Sequence, residues 1–79
     1  MMAETETRTQ PAAGELWQHY KGGKYRIVCI AHQEDGKRYQ VVYRSTLFPE
    51  NIWCRPLKDF MGNVRKANKS IPRYVKVDE

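Results

Sequence analysis

Residues 25–45 read YRIVCIAHQEDGKRYQVVYRS, and the fold turns on them. Residues 25–31 are rich in aromatic and β-branched side chains, the composition of a strand. A polar break follows, and within it Asp35-Gly36 is a strong hairpin-turn dipeptide. Residues 38–45 then alternate. Tyr39, Val41 and Tyr43 fall on one face; Arg38, Gln40, Val42 and Arg44 fall on the other. Two strands joined by such a turn make an antiparallel hairpin.

Upstream, Lys21-Gly22-Gly23-Lys24 reads as a turn, because paired glycines serve a backbone that needs positive φ or a tight reversal. The segment before it, residues 15–20, mixes apolar and polar residues, and order is expected from Gly14. Residues 1–13 read as a disordered tail. They hold Thr, Glu and Ala without an apolar period, too little to offset the entropy of ordering.

Downstream, residues 46–51 form a loop around Pro49, and residues 52–55 a short strand stopped by Pro56. Leu57, Phe60, Met61 and Val64 recur at i, i+3, i+4 and i+7, one face of a helix. Pro56 suits its first position, Asp59 its first turn, and Arg65 and Lys66 its last. Asn68 is expected to end it in a left-handed conformation. Gly62 weakens so short a helix by up to about 1 kcal/mol, so packing must hold it. Residues 71–77 form a last strand, with Pro72 at its start or on an edge. The expected class is mostly β: a small barrel or strongly bent antiparallel sheet with one short helix. Strands do not alternate with long helices, which excludes a doubly wound fold.

The chain has 79 residues and 9.3 kDa, enough for one small domain. Its 41% hydrophobic content is too high for a disordered chain and too low for a membrane protein. The longest apolar run, residues 27–31, is far short of the ~20 residues that span a bilayer. No basic stretch followed by an apolar one opens the sequence, so a cytoplasmic location is expected. A core this small leaves little room for a deep cleft, and a multi-domain enzyme is excluded. The net charge is +5; residues 1–13 carry −1, so residues 14–79 carry about +6. Cys29 and Cys54 are expected as two small buried thiols rather than a bridge. With His19 and His32 they fit no zinc spacing, and no metal or cofactor is expected.

Several features together resemble a known family. They are Gly14, His19-Tyr20-Lys21-Gly22, Tyr25, Ala31-His32 and Glu34, then Val41-Val42-Tyr43, Trp53 and Arg55-Pro56-Leu57, with Phe60, Val64 and Pro72-Arg73-Tyr74. The set resembles a family of small bacterial and phage domains known as domain of unknown function 1653, over nearly all of residues 14–77. The resemblance implies an SH3-like β domain over residues 14–79, and it implies no reaction. Two departures stand out. The family usually has His-Ser-Glu-Thr where this chain has His32-Gln33-Glu34-Asp35, so a contact made by that serine and threonine would be missing. It usually has Val between Trp and Arg, where this chain has Cys54.

Three constellations carry chemistry. In the first, cations and rings interleave: Trp17, His19, Tyr20, Lys21, Lys24, Tyr25 and Arg26, then Tyr39, Tyr43, Arg44, Trp53 and Arg55. Such a surface neutralises phosphates and stacks bases. The plain alternative puts the aromatics, Trp17 and Trp53 included, in the core and the cations in solvent. In the second, His32 and Glu34 could orient each other and bond a ligand, or they cap a hairpin turn, with Glu34 pairing Lys37 or Arg38. In the third, Arg44 and Arg55 could converge on one anion, or Arg55 pairs internally with Glu34 or Asp59. His19-Tyr20-Lys21-Gly22-Gly23 lacks the glycine spacing and Ser/Thr of a phosphate loop. The expected function is a non-catalytic binding module for nucleic acid or a nucleotide, contacted through His19, Tyr20, Lys21, His32, Glu34, Tyr43, Arg44, Trp53 and Arg55. The alternative is a protein-interaction adaptor presenting an aromatic groove. A small enzyme using His32 and Glu34 would need the two within hydrogen-bond reach or on a shared ligand.

Overall fold

The hairpin of residues 25–45 sits at the centre of the sheet in a computed structural model that describes residues 10–78. Most of the expected tail, residues 1–9, lies outside the described residues. Pro11 is buried, and the Ala12 N–H donates to Glu15 Oε1 at 2.9 Å. Strands β2 (Lys24–His32) and β3 (Tyr39–Ser45) pair antiparallel, from Tyr25 opposite Ser45 to His32 opposite Tyr39. Gly36 turns the hairpin at φ 72°. Asp35 steadies the turn by accepting from the Lys37 N–H at 2.9 Å and from Arg38 Nη2 at 3.0 Å.

A β-bulge sits between Ile27 and Cys29, and it decides which side chains enter the core. Ile27 pairs with Tyr43, whereas Ile30 pairs with Val41. Strict alternation from Ile27 would send Cys29 inward; the extra residue reverses the parity, so Ile30 packs against the core and Cys29 is exposed. Cys54 is exposed too, so the expected burial of the thiols is overturned. Both face Val42, one from each neighbouring strand. Two strand spacings, about 10 Å, exceed disulfide reach, and both thiols are free.

Strand β1 (Leu16–His19) pairs with β2 through the Gly22 turn, where φ is 110°. Strand β4 (Ile52–Pro56) lies beside β3. The last strand of this sheet, β7 (Tyr74–Val77), lies on the free side of β1. The order is β4-β3-β2-β1-β7, antiparallel throughout, and β4 and β7 are not hydrogen-bonded to each other. The fold is therefore an open antiparallel sheet rather than a closed barrel.

The expected helix is largely replaced. Helix α1 (Leu57–Phe60) is four residues long, with Pro56 one place earlier than expected, at its N-cap. It ends where the Met61 N–H bonds the Leu57 carbonyl and the Gly62 N–H bonds that of Asp59. Residues 63–72 then form a second hairpin, β5 (Asn63–Lys66) against β6 (Lys69–Pro72). Asn68 is left-handed as expected, at φ 63°, but it shares a two-residue hairpin turn with Ala67 at φ 51°. The expected strand over residues 71–77 is split at Arg73 between β6 and β7. The Arg73 N–H bonds the Gly62 carbonyl, and its own carbonyl accepts from the Tyr20 N–H. That residue thus ties the small hairpin to the large sheet.

The core is Trp17, Ile27, Val41, Tyr43, Phe60 and Tyr74. Five of these come from the large sheet, and Phe60 comes from α1. Phe60 stacks on Tyr74 at 4.0 Å and meets Trp17 and Tyr43 at 5.5 Å. Trp17 keeps its indole N–H satisfied by donating to Glu15 Oε1 at 2.9 Å.

Candidate functional site

Strand register puts the key side chains on one face. Trp53 pairs with Tyr43, and Arg55 pairs with Val41; Tyr43 and Val41 are core residues. Trp53 and Arg55 therefore stand two residues apart on the core side of edge strand β4. Trp53 is 52% exposed, while Trp17 is buried. The two tryptophans thus divide: one builds the core, the other offers a ring at its rim.

Arg55 reaches from β4 towards β7 at the opposite edge of the sheet. The Tyr43 hydroxyl, acting as acceptor, lifts the pKa of the guanidinium; burial opposes this, and the Tyr74 phenol adds to the lift. The two phenols share a hydrogen bond of 3.3 Å. Burial, with that neighbour, pushes the Tyr74 phenol well above its ordinary range, so it stays protonated. Nε of Arg55 is buried and has no partner, and the same is true of Arg73 Nε. Neither guanidinium is paired with a carboxylate among the described residues. The internal pairing with Glu34 or Asp59 is not formed.

His19 stands opposite Tyr74 across β1 and β7. Its ring lies 4.5 Å from that of Tyr20 and 4.9 Å from that of Tyr74. The Lys21 N–H donates to His19 Nδ1 at 3.1 Å, which leaves the neutral ring's proton on Nε2. Burial, then the charges of Arg55, Arg73 and Lys21, hold the His19 pKa below its ordinary value. Ammonium groups of Lys21 and Lys66 stand 5.8 and 6.0 Å from the Tyr20 ring centroid. Gln18 and Val75, which pair on the face of the sheet away from Tyr74, line a cavity of about 360 Å³ together with His19, Tyr20, Gly22, Ile71 and Pro72.

The structure therefore brings His19, Tyr20, Lys21, Tyr43 and Arg55 into one neighbourhood, with Trp53 two residues from Arg55 on the same face. It leaves three expected residues outside. Arg44 pairs with Ile52, three residues before Arg55; an odd separation on one strand puts the two arginines on opposite faces. They do not converge. His32 and Glu34 are both exposed at the far end of the first hairpin. The His32 ring meets Tyr39 at 4.6 Å, and Arg38 pairs with Asp35 rather than Glu34. Arg73 and Lys66 are the residues that sequence reasoning missed. Both belong to the segment read as helix and last strand, and only the second hairpin carries them to His19 and Tyr20.

No curated protein and no solved structure matches the chain. No group of three or more His, Cys, Asp or Glu able to hold a metal ion occurs among the described residues. The model of one family, described as a protein of unknown function (DUF1653), matches residues 15–76, most of the chain, and the protein belongs to that family.

Proposed function

We propose that this domain is a non-catalytic binding module for nucleic acid or a nucleotide. One observation carries the reading: a half-buried Arg55 without a carboxylate partner among the described residues stands beside an exposed Trp53 on one face of an edge strand. The Tyr43 hydroxyl holds that guanidinium in its charged form, and a phosphate supplies the counter-charge it lacks. A ring two residues away suits a stacked base, and one such contact is worth about 1–3 kcal/mol. A cytoplasmic setting, where such ligands abound, accords with this role. His32 and Glu34, with no bond between them on an exposed rim, argue against a reaction at that pair.

The test is fluorescence anisotropy with labelled single- and double-stranded DNA and RNA at two salt concentrations. Binding is expected at low salt, falling steeply as salt rises because phosphate contacts release counterions. Trp53→Ala should weaken it while shifting stability by no more than about 0.5 kcal/mol, as at other exposed positions. Absence of binding at low salt overturns the proposal.

A second reading has its own observation. Leu47, Phe48, Ile52 and Trp53 are exposed at 81, 56, 54 and 52%, around the loop into β4. Exposed apolar clusters of this kind mark protein partners. A pull-down that is unchanged by nuclease, from a domain that ignores polynucleotides, would favour the adaptor.

A further inference from the structure

A larger cavity, of about 740 Å³, lies at the far end of edge strand β4. That volume falls within the range of small-ligand pockets. Gln40 and Pro56 form the last pair of the β3–β4 ladder, and both line the cavity, so it opens where the sheet gives way to α1. Its apolar wall is Leu57 and Met61, which also pack against the core. Beside them stands Tyr39, 43% exposed. Lys37 and Lys58 line it as well, and both are exposed. Neither has a carboxylate partner among the described residues. Asp59 is the only carboxylate on the walls among those residues, and the third cation there, Arg38, is already paired with Asp35.

Strand register ties this cavity to Trp53 and Arg55. Tyr43 stands opposite Trp53, and Val41 stands opposite Arg55. Side chains alternate along a strand, so Tyr39 is the next on that face of β3. One line therefore runs along the edge of the sheet: the exposed ring of Trp53, then Arg55, then the cavity with the ring of Tyr39. Tyr39 lies about 13 Å along β3 from Tyr43, the partner of Trp53. Successive stacked bases are about 3.4 Å apart, so a strand touching both rings covers about five nucleotides if it stays stacked, and fewer if it is drawn out. A duplex cannot use two such rings, because each of its bases is enclosed by its neighbours in the stack. A single strand offers every base's face. Gln33, also on the cavity wall, carries both a donor and an acceptor, which is what the edge of a base needs.

We infer that the cavity beside Tyr39 is a second base-binding subsite, and that the domain takes single-stranded nucleic acid along the line from Trp53 through Arg55 to Tyr39. Trp53 stacks one base, Arg55 meets a phosphate between the rings, and the cavity at Tyr39 receives a second base. Lys37 and Lys58 meet the phosphates that flank this second base. The inference rests on the nucleic-acid reading above and narrows it to a single strand long enough to span both rings.

The experiment titrates the whole chain into labelled oligothymidylates of about two and about six nucleotides, and into a fully paired DNA duplex, followed by fluorescence anisotropy at low salt. The longer oligothymidylate should bind at least about fivefold more tightly than the dinucleotide, the lower end for one added base stacked on a ring. Tyr39→Ala should remove that gain while the circular dichroism spectrum is retained. Tyr39→Phe keeps the ring and should keep the gain. The longer single strand should also outcompete the duplex. Should Tyr39→Ala fail to fold, Lys58→Gln probes the same cavity from the exposed side of α1. It should reduce the slope of log affinity against log salt for the longer oligomer by about 0.7, the value of one phosphate contact on a single strand. An unchanged slope, a gain untouched at Tyr39, a dinucleotide bound as tightly as the longer strand, or a preference for the duplex overturns the inference and leaves the binding module standing. No binding of any probe at low salt removes both.

Discussion

At the scale of single residues, His19 has the clearest consequence. Burial and three neighbouring cations hold its folded-state pKa below 6.5, its ordinary value. The folded chain therefore binds fewer protons than the unfolded chain once the pH drops into that region, and stability rises with pH there. Its contribution is complete above pH 6.5 and is lost as the pH falls through the lower, folded value. Glu15 acts in a more acid window. The indole N–H of Trp17, with help from Ala12 and Lys76, holds its carboxyl below 4.5, so its contribution is lost only under that pH. Thermal melts between pH 7 and 5 thus read His19, and the melting temperature should fall with pH. His19→Asn keeps an acceptor near the place of Nδ1 and removes the titration. It should flatten the profile in that range and leave the decline below pH 4.5 intact.

At the scale of elements, the first hairpin was readable because its signals are local and agree: β-branched runs, alternation, and Asp35-Gly36 between them. The bulge was not, because Ile27, Val28, Cys29 and Ile30 are all apolar and no pattern marks where parity slips. The consequence is measurable. Both Cys29 and Cys54 should react with a disulfide reagent in the native protein, without denaturant, and mild oxidation should not join them within one chain. The second hairpin was missed for a different reason. Leu57, Phe60 and Met61 do have helical spacing and pack against or within the core, but Val64 matches the same spacing by coincidence. Four helical residues cannot repay nucleation over a longer span that contains Gly62, and the chain gains more from pairing β5 with β6. Ala67 carries the strain of that choice, since a left-handed residue with a Cβ costs about 1–2 kcal/mol unless its side chain suits the turn. Ala67→Asn should therefore stabilise the domain by roughly 0.5–1 kcal/mol, read from urea midpoints at unchanged m-value.

At the scale of the molecule, the candidate site exists because the sheet is open. In a closed barrel β4 and β7 would share hydrogen bonds; here side chains span the gap, Arg55 from one edge against Tyr74 on the other. Part of the site was legible, since residues 19–21 and Trp53 with Arg55 are cations and rings in plain sequence view. What joins the two groups was not, because it depends on how far the sheet curls. The residue that fixes this is Phe60. It is fully buried and, among the described residues, is the only member of the buried core cluster supplied from outside the large sheet. It touches rings from β1, β3 and β7 at once. Phe60→Ala should cost about 3–5 kcal/mol, against a total of roughly 4–12 kcal/mol for a domain of this length. Phe60→Leu keeps most of the volume and should cost less. The more telling outcome concerns binding. Under conditions where Phe60→Leu remains folded, loss of the stack on Tyr74 should loosen the span between β4 and β7. Affinity for single-stranded DNA should then fall although no contacting residue has changed. A variant that melts earlier yet binds as tightly would show that Arg55 is positioned by β4 alone and that the far edge contributes nothing to the site.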